Sequence, residues 1–225
     1  MYEESIIDVK SNWYILSIAY KWQGEKKVKT KALPDYRGYH KDTECDRDLV
    51  KDFHKLLDEA DIVIAHNGDR FDIKKLNARF IANGLTPPSP YKSIDTLKIA
   101  RKNFAFTSNK LNDLGGYLRV GKKLPHTGWH LWRGCMLGDK KSWKLMRQYN
   151  ARDVELLEQV YLKLRPWHST HPSLPHYHDR PNKIACPTCE SVNTRRAGPH
   201  VNKTRKVWRH KCNDCGRWFL GDLIK

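Results

Sequence analysis

Asp61 to Asp72 reads DIVIAHNGDRFD, and this stretch decides the fold class. Ile62, Val63 and Ile64 make a short apolar, β-branched run that suits a buried strand. Asp72 then opens DIKKLNARFIAN, in which apolar residues recur at helical spacing until Gly84 ends the pattern. A strand that turns directly into a helix is the working unit of an α/β layer. It places Asn67 and Asp72 at the carboxyl end of the strand, where α/β sites collect.

The flanking sequence extends the same architecture. On the N-terminal side, Asn12 to Trp22 (NWYILSIAYKW) suits a largely buried strand, and Glu25 to Ala32 (EKKVKTKA) suits a second, with Gly24 near the turn. Asp46 to Glu59 puts Leu49, Phe53, Leu56 and Leu57 at helical spacing. On the C-terminal side come the turn Thr86-Pro87-Pro88-Ser89-Pro90, the segment Ser93 to Leu97 and a helix over Lys110 to Leu118. Gly128-Trp129-His130-Leu131-Trp132 reads as an irregular segment packed over the sheet. Trp143 to Leu164 is the longest helical stretch, with Leu145, Met146, Tyr149, Val154, Leu157, Val160 and Leu164 available for one face. These elements predict an α/β domain over residues 1–167, a mixed sheet flanked by helices.

Composition bounds the function. The chain has 225 residues, 42 Lys+Arg against 25 Asp+Glu, a formal net charge of +17 and 39% hydrophobic residues. A strongly basic chain with aromatics points to a polyanionic partner, because each cation set on a phosphate releases condensed counterions. No run approaches the roughly 18 apolar residues of a membrane span. Met1-Tyr2-Glu3-Glu4 lacks the basic and apolar character of a secretory signal, so a reducing, cytoplasmic compartment is expected, with cysteines as thiols or metal ligands. Cys45 and Cys135 read as ordinary thiols.

Cys186-Pro187-Thr188-Cys189 and Cys212-Asn213-Asp214-Cys215 are two C-x-x-C knuckles, which together predict a tetrahedral four-cysteine Zn²⁺ site over residues 183–225. A segment this short has too little apolar area to fold unaided, so metal binding would supply much of its folding free energy. Redox-active cysteine pairs are the alternative. Arg180 to Lys225 carries eleven Lys/Arg and three Asp/Glu, a net charge of +8. Arg195, Arg196, Lys203, Arg205, Lys206, Trp208 and Arg209 mix cations with an aromatic ring, which suits phosphate contacts and base stacking. Between the two regions, 168–182 holds three prolines and four histidines and reads as a linker. The ending from Trp208 to Phe219 resembles the zinc ribbons attached to many nucleic-acid enzymes, some transposases among them.

Tyr149 and Asp153 stand four apart, on one face of the last helix. With Asp72, they offer carboxylates for Mg²⁺ or Mn²⁺ and a phenol to orient water, the equipment of metal-assisted phosphodiester hydrolysis. The bland reading makes Asp72 a helix N-terminal charge and Asp153 a surface ion-pair partner. Taken together and in this order, Asn67-x-x-x-Phe71-Asp72 and Tyr149-x-x-x-Asp153 resemble the second and third motifs of the DEDD-type 3′-5′ exonucleases. These belong to the ribonuclease H-like superfamily, and the tyrosine subclass related to proofreading domains of family B DNA polymerases, often found in phage and bacteria, is the nearest likeness. The resemblance covers about Ile6 to Trp167. It implies Asp72 and Asp153 as ligands of the catalytic metals, Tyr149 as the residue that positions the attacking water, and Asn67 as a holder of the DNA 3′ end. Asp95 reads as structural.

The family's first motif, a strand with Asp-x-Glu, has no counterpart here. Asp8-Val9-Lys10 is the nearest remnant, with Lys where Glu is required. The expectation is therefore a chain that starts one strand late, with weak or no activity as it stands, or one whose missing strand comes from a partner polypeptide. A non-catalytic nucleic-acid-binding protein and a transposase-like recombination protein are the competing readings.

Overall fold

A computed structural model describes residues 12–125, 127–178 and 184–224. In chain order its strands and α-helices are β1 (Ser17–Tyr20), β2 (Lys29–Ala32), α1 (Arg47–Glu59), β3 (Ile62–Ala65), α2 (Asp72–Ala82), β4 (Lys92–Asp95), α3 (Thr96–Asn103), α4 (Leu111–Tyr117), α5 (Trp129–Met136), α6 (Lys140–Leu164), β5 (Thr194–Val201), β6 (Lys206–Cys212) and β7 (Trp218–Leu223). The expected mixture of strands and helices is present. Among the described residues, however, the strands form three separate sheets rather than one mixed sheet and a ribbon: an antiparallel β1–β2 pair, a parallel β3–β4 pair and an antiparallel β5–β6–β7 sheet. Both pairs are short of the three strands that give a sheet independent stability, so their helices must cover them. No helix among the described residues is long and apolar enough to cross a membrane.

The chain divides into two compact units. The first comprises Met1–Asp61, Asp69–Tyr91 and Lys123–Glu155. Its core gathers Leu16, Leu33, Leu49, Leu131, Cys135, Trp143 and Met146. Asp46, wholly buried at the start of α1, is held by a bidentate pair with Arg79 of α2 (2.8 Å from Nε) and accepts the Ile15 N–H at 2.9 Å. Such a carboxylate is tolerated in a core because every partner is charged or an N–H donor. The Arg147 guanidinium forks onto Asp35, with both bonds at 2.8 Å, and ties α6 to the end of β2. Residues 128–136, expected to be irregular from 128 to 132, instead contain helix α5. Leu131 and Cys135 lie one turn apart and both are buried, and Gly134 lets the chain approach Ser142, whose Oγ would sit 2.1 Å from an added Cβ.

The second unit comprises Ile62–Gly68, Lys92–Lys122 and Leu156–Lys225. Ile94, Ile99, Leu111, Leu114, Leu156, Val160 and Leu164 form its core. Gly115 is required there: a Cβ would stand 2.6 Å from the Gly121 carbonyl oxygen and 2.7 Å from Leu156. Residues 168–178, expected as a solvated linker, are packed. Leu174 is buried and its N–H donates to the Pro187 carbonyl at 2.8 Å, while Arg217 donates to the carbonyls of Pro166 and Ser169. Composition misled here because one leucine and several hydrogen-bonding rings suffice to anchor a proline-bent strap onto a neighbouring surface. Asp8-Val9-Lys10, Glu3 and Glu4 lie outside the described residues.

Candidate active site and metal centre

The carboxyl end of β3 turns through Asn67, whose φ of +63° is in the left-handed region that asparagine tolerates better than most residues. Its N–H donates to Asp95 Oδ1 at 2.8 Å, and the same oxygen accepts the Leu97 N–H at 2.9 Å, capping α3. Asp95 is buried and occupied in this way, so its role is structural. The His66 ring is pinned between Thr96 Oγ1 (2.9 Å) and the Asn109 carbonyl (3.0 Å), which fixes the strand end. Asp72 is the first residue of α2 and is exposed, where the positive end of the helix dipole favours a carboxylate.

Tyr149 and Asp153 share one face of α6, as their spacing requires. A third residue joins them: the Lys123 ammonium lies 2.7 Å from Asp153 Oδ2 and 3.3 Å from Tyr149 Oη, and 5.4 Å from the centre of the Tyr149 ring. Burial works against that charge, yet Asp153 and Tyr149 hold the lysine pKa above its ordinary value. Trp132 of α5 packs edge-on against Tyr149 at 6.3 Å and sets the ring's orientation. Asp153 Oδ1 is buried without a hydrogen-bond partner. An orphaned carboxylate oxygen is a donor waiting for a cation or water, and it suits a hard divalent ion. Nothing local in the sequence marks Lys123, because two adjacent lysines suit a solvated face and 30 residues separate it from Asp153.

Among the described residues, the single group of three or more His, Cys, Asp or Glu side chains close enough to share one ion is Cys186, Cys189, Cys212 and Cys215. Asp72 and Asp153 therefore gain no third such ligand there, and a two-ion centre does not fit the described residues alone. The cysteines fit zinc well. Their sulfurs lie within 4.8 Å of one another, with Cys186–Cys215 and Cys189–Cys212 both at 3.6 Å, close to the ~3.8 Å edge of a tetrahedron with ~2.3 Å Zn–S bonds. In both knuckles the residue after the second cysteine has positive φ, Glu190 at +61° and Gly216 at +81°. Asp214 links the knuckles by accepting from Ser191 Oγ and Asn193 Nδ2. Burial pushes Cys186, Cys189 and Cys215 up to about 11, whereas at Cys212 burial is outweighed by the N–H groups of Cys215 and Asp214, which lower it. Thiols so buried need a metal to be held as thiolates. Cys135, also buried and pushed up to about 11, stands apart in the core of the first unit.

Comparison with known families supplies the deciding observation: a model of the RNase H superfamily matches residues 7–165. The chain belongs to the RNase H superfamily. Members of this superfamily are typically nucleases that use divalent metals, so a nucleic-acid substrate and phosphodiester hydrolysis follow as the general expectation. No curated protein is similar enough to the chain to count as a match. The RNase H superfamily match includes Asn67, Asp72, Tyr149 and Asp153, and leaves the cysteine-bearing sheet outside it.

That sheet does not bring the expected basic residues to one surface. Arg195 and Arg209 fall on one face of it, Arg196, Lys206 and Trp208 on the other, and Lys203 and Arg205 lie in the β5–β6 turn. Arg196 stacks its guanidinium 4.4 Å from the Trp208 ring centre.

Proposed function

We propose that the protein is a 3′-5′ exonuclease acting on DNA, of the tyrosine-containing DEDD type, with residues 1–167 as its nuclease domain. Residues 183–225 form a zinc ribbon that grips the substrate, joined through 168–182. The carrying observation is the Tyr149–Asp153 pair on one face of α6, with a buried, unpartnered oxygen on Asp153. Asp153 and Asp72 would hold the catalytic Mg²⁺ or Mn²⁺, which when bound would supply Lewis-acid activation of water. Tyr149 would orient that water, and Asn67 would hold the 3′ end. The first-motif carboxylates are absent from this sequence, so activity of this chain is weak. A partner polypeptide donating a strand with Asp-x-Glu would complete the site, and edges of the β1–β2 and β3–β4 pairs that are unpaired among the described residues are suited to receive one.

The test is Mn²⁺-dependent shortening of single-stranded DNA carrying a label at one end or the other. Loss from the 3′ end that Asp153→Ala and Asp72→Ala each abolish supports the reading. Metal-independent or endonucleolytic cutting would refute it. A second reading, a binding scaffold without catalysis, is favoured by the Lys123 ammonium on Asp153, where a metal would otherwise bind. It predicts DNA binding unchanged by chelation of Mg²⁺ and no cutting.

A further inference from the structure

The cysteine-bearing sheet has two unlike faces. β6 lies between β5 and β7, and its alternating side chains define them. On one face, Arg195, Lys211 and Trp218 stand side by side across the three strands, and Arg209 lies opposite Leu220 in the next row. On the other, the corresponding row is Arg196, His210 and Phe219, followed by Trp208.

The second face is filled by its own rings. His210 stacks on Phe219 at 5.4 Å, Arg196 covers Trp208, and a Cβ on Gly221 would come within 2.7 Å of His210 Nε2. The first face is open in its Trp218 and Leu220 rows, while Val207 in the row beyond them is buried. Arg195 and Arg209 are exposed, as are Trp218 at 50% and Leu220 at 54%, and the Lys211 ammonium stands 5.6 Å from the Trp218 ring centre. No carboxylate occurs in these two rows; Asp222 is exposed in β7 beyond Leu220, where the register shifts.

We infer that the Arg195–Lys211–Trp218 face is a platform for single-stranded DNA. Trp218, on the edge strand β7, stacks on one base while Lys211 and Arg209 of β6 and Arg195 of β5, all to one side of the ring, meet the adjoining phosphates. Cations beside an exposed ring suit the base and backbone of an unpaired strand, whereas a duplex keeps its base faces inside the stack. The inference rests on the nucleic-acid reading above and adds the face, the residues and the strandedness; Lys211 and Trp218 lie outside the basic set that the sequence singled out.

The experiment measures binding of the full, zinc-loaded chain to labelled oligonucleotides across a salt series. Trp218→Leu is expected to weaken single-strand binding about tenfold, with Trp218→Phe between it and the parent. Lys211→Gln and Arg195→Gln are each expected to lower the slope of log affinity against log salt by about 0.7. Arg196→Gln, on the opposite face, should leave affinity within about twofold. Zinc content measured for each variant identifies any that misfold, and the Gln variants of these partly exposed cations carry the test should Trp218→Leu lose its metal. Unchanged affinity and slope in the Trp218 and Lys211 variants, with a loss in Arg196→Gln, would overturn the face assignment while the nucleic-acid reading survives. Equal or tighter binding of duplex, or RNA binding tenfold tighter than DNA, would overturn the choice of ligand. A chain that binds no nucleic acid in low salt would sink this inference and the function reading together.

Discussion

Lys123 holds Asp153 through a 2.7 Å ion pair in which both side chains are largely shielded from water. A protein cation thereby occupies the carboxylate proposed above as a metal ligand. Lys123 also reaches Tyr149, so Tyr149 and Asp153 are organised by one ammonium. Removing that charge should free Asp153 for a divalent ion. Lys123→Met is expected to tighten Mn²⁺ binding by up to about fivefold, since a partly shielded pair contributes up to about 1 kcal/mol. Titration followed by the free Mn²⁺ resonance measures it. Unaltered or weaker binding in the variant would show that lysine and metal do not compete.

The Arg79–Asp46 pair bears on stability rather than chemistry. Arg79→Ala would leave a wholly buried carboxylate with the Ile15 N–H in place but its counter-charge gone. The expected loss is about 3–5 kcal/mol. Urea unfolding of parent and variant gives the difference directly, and a loss below about 1 kcal/mol would mean that water or another cation replaces the guanidinium.

Metal removal should separate the two kinds of structure in the second unit. Described residues 184–224 bury little besides Val207, Thr188 and two of the four cysteines, so their order is expected to depend on a metal held by the thiolates. A strong chelator is expected to release one zinc per chain and collapse the signal of Trp208 and Trp218 while the helical circular dichroism remains. Retention of the β5–β7 amide protection after complete metal loss would contradict this.

His171 predicts a pH dependence. Its Nδ1 lies 2.6 Å from the Pro172 carbonyl, which can only accept, so Nδ1 carries the proton and Nε2 accepts from the Tyr161 hydroxyl at 2.7 Å. Burial, with His168, Arg165 and Arg217 adding positive charge nearby, lowers its pKa from 6.5 to about 4. The unfolded chain therefore binds a proton that the folded chain resists. The contribution to stability is complete above about pH 6.5 and is lost as the pH falls toward about 4. Replacing it by glutamine should flatten the dependence of the urea midpoint on pH across that window. Parallel profiles for parent and His171→Gln would remove the histidine from the account.

Much of this protein was legible along the chain because the relevant physics is local. The Ile62–Ala65 strand, the Asp72–Ala82 helix ended near Gly84 and the two cysteine knuckles depend on neighbours within a few residues, and the structure places each near its expected bounds. Helix α5 was missed because Trp129 to Met136 contains Gly134, whose purpose emerges only where Ser142 approaches it.

The sequence by itself determined which residues could do chemistry: carboxylates and a phenol at helical spacing, four thiols in paired knuckles, and an excess of cations. Only the tertiary structure decided how they are deployed. It brought Lys123 onto Asp153 across 30 residues, buried Asp46 against Arg79 across 33, and divided the basic residues of the cysteine-bearing sheet between two faces by the alternation of β6. Periodicity follows from bond geometry and is written locally, whereas the partner of a charge is selected by which distant surfaces pack together.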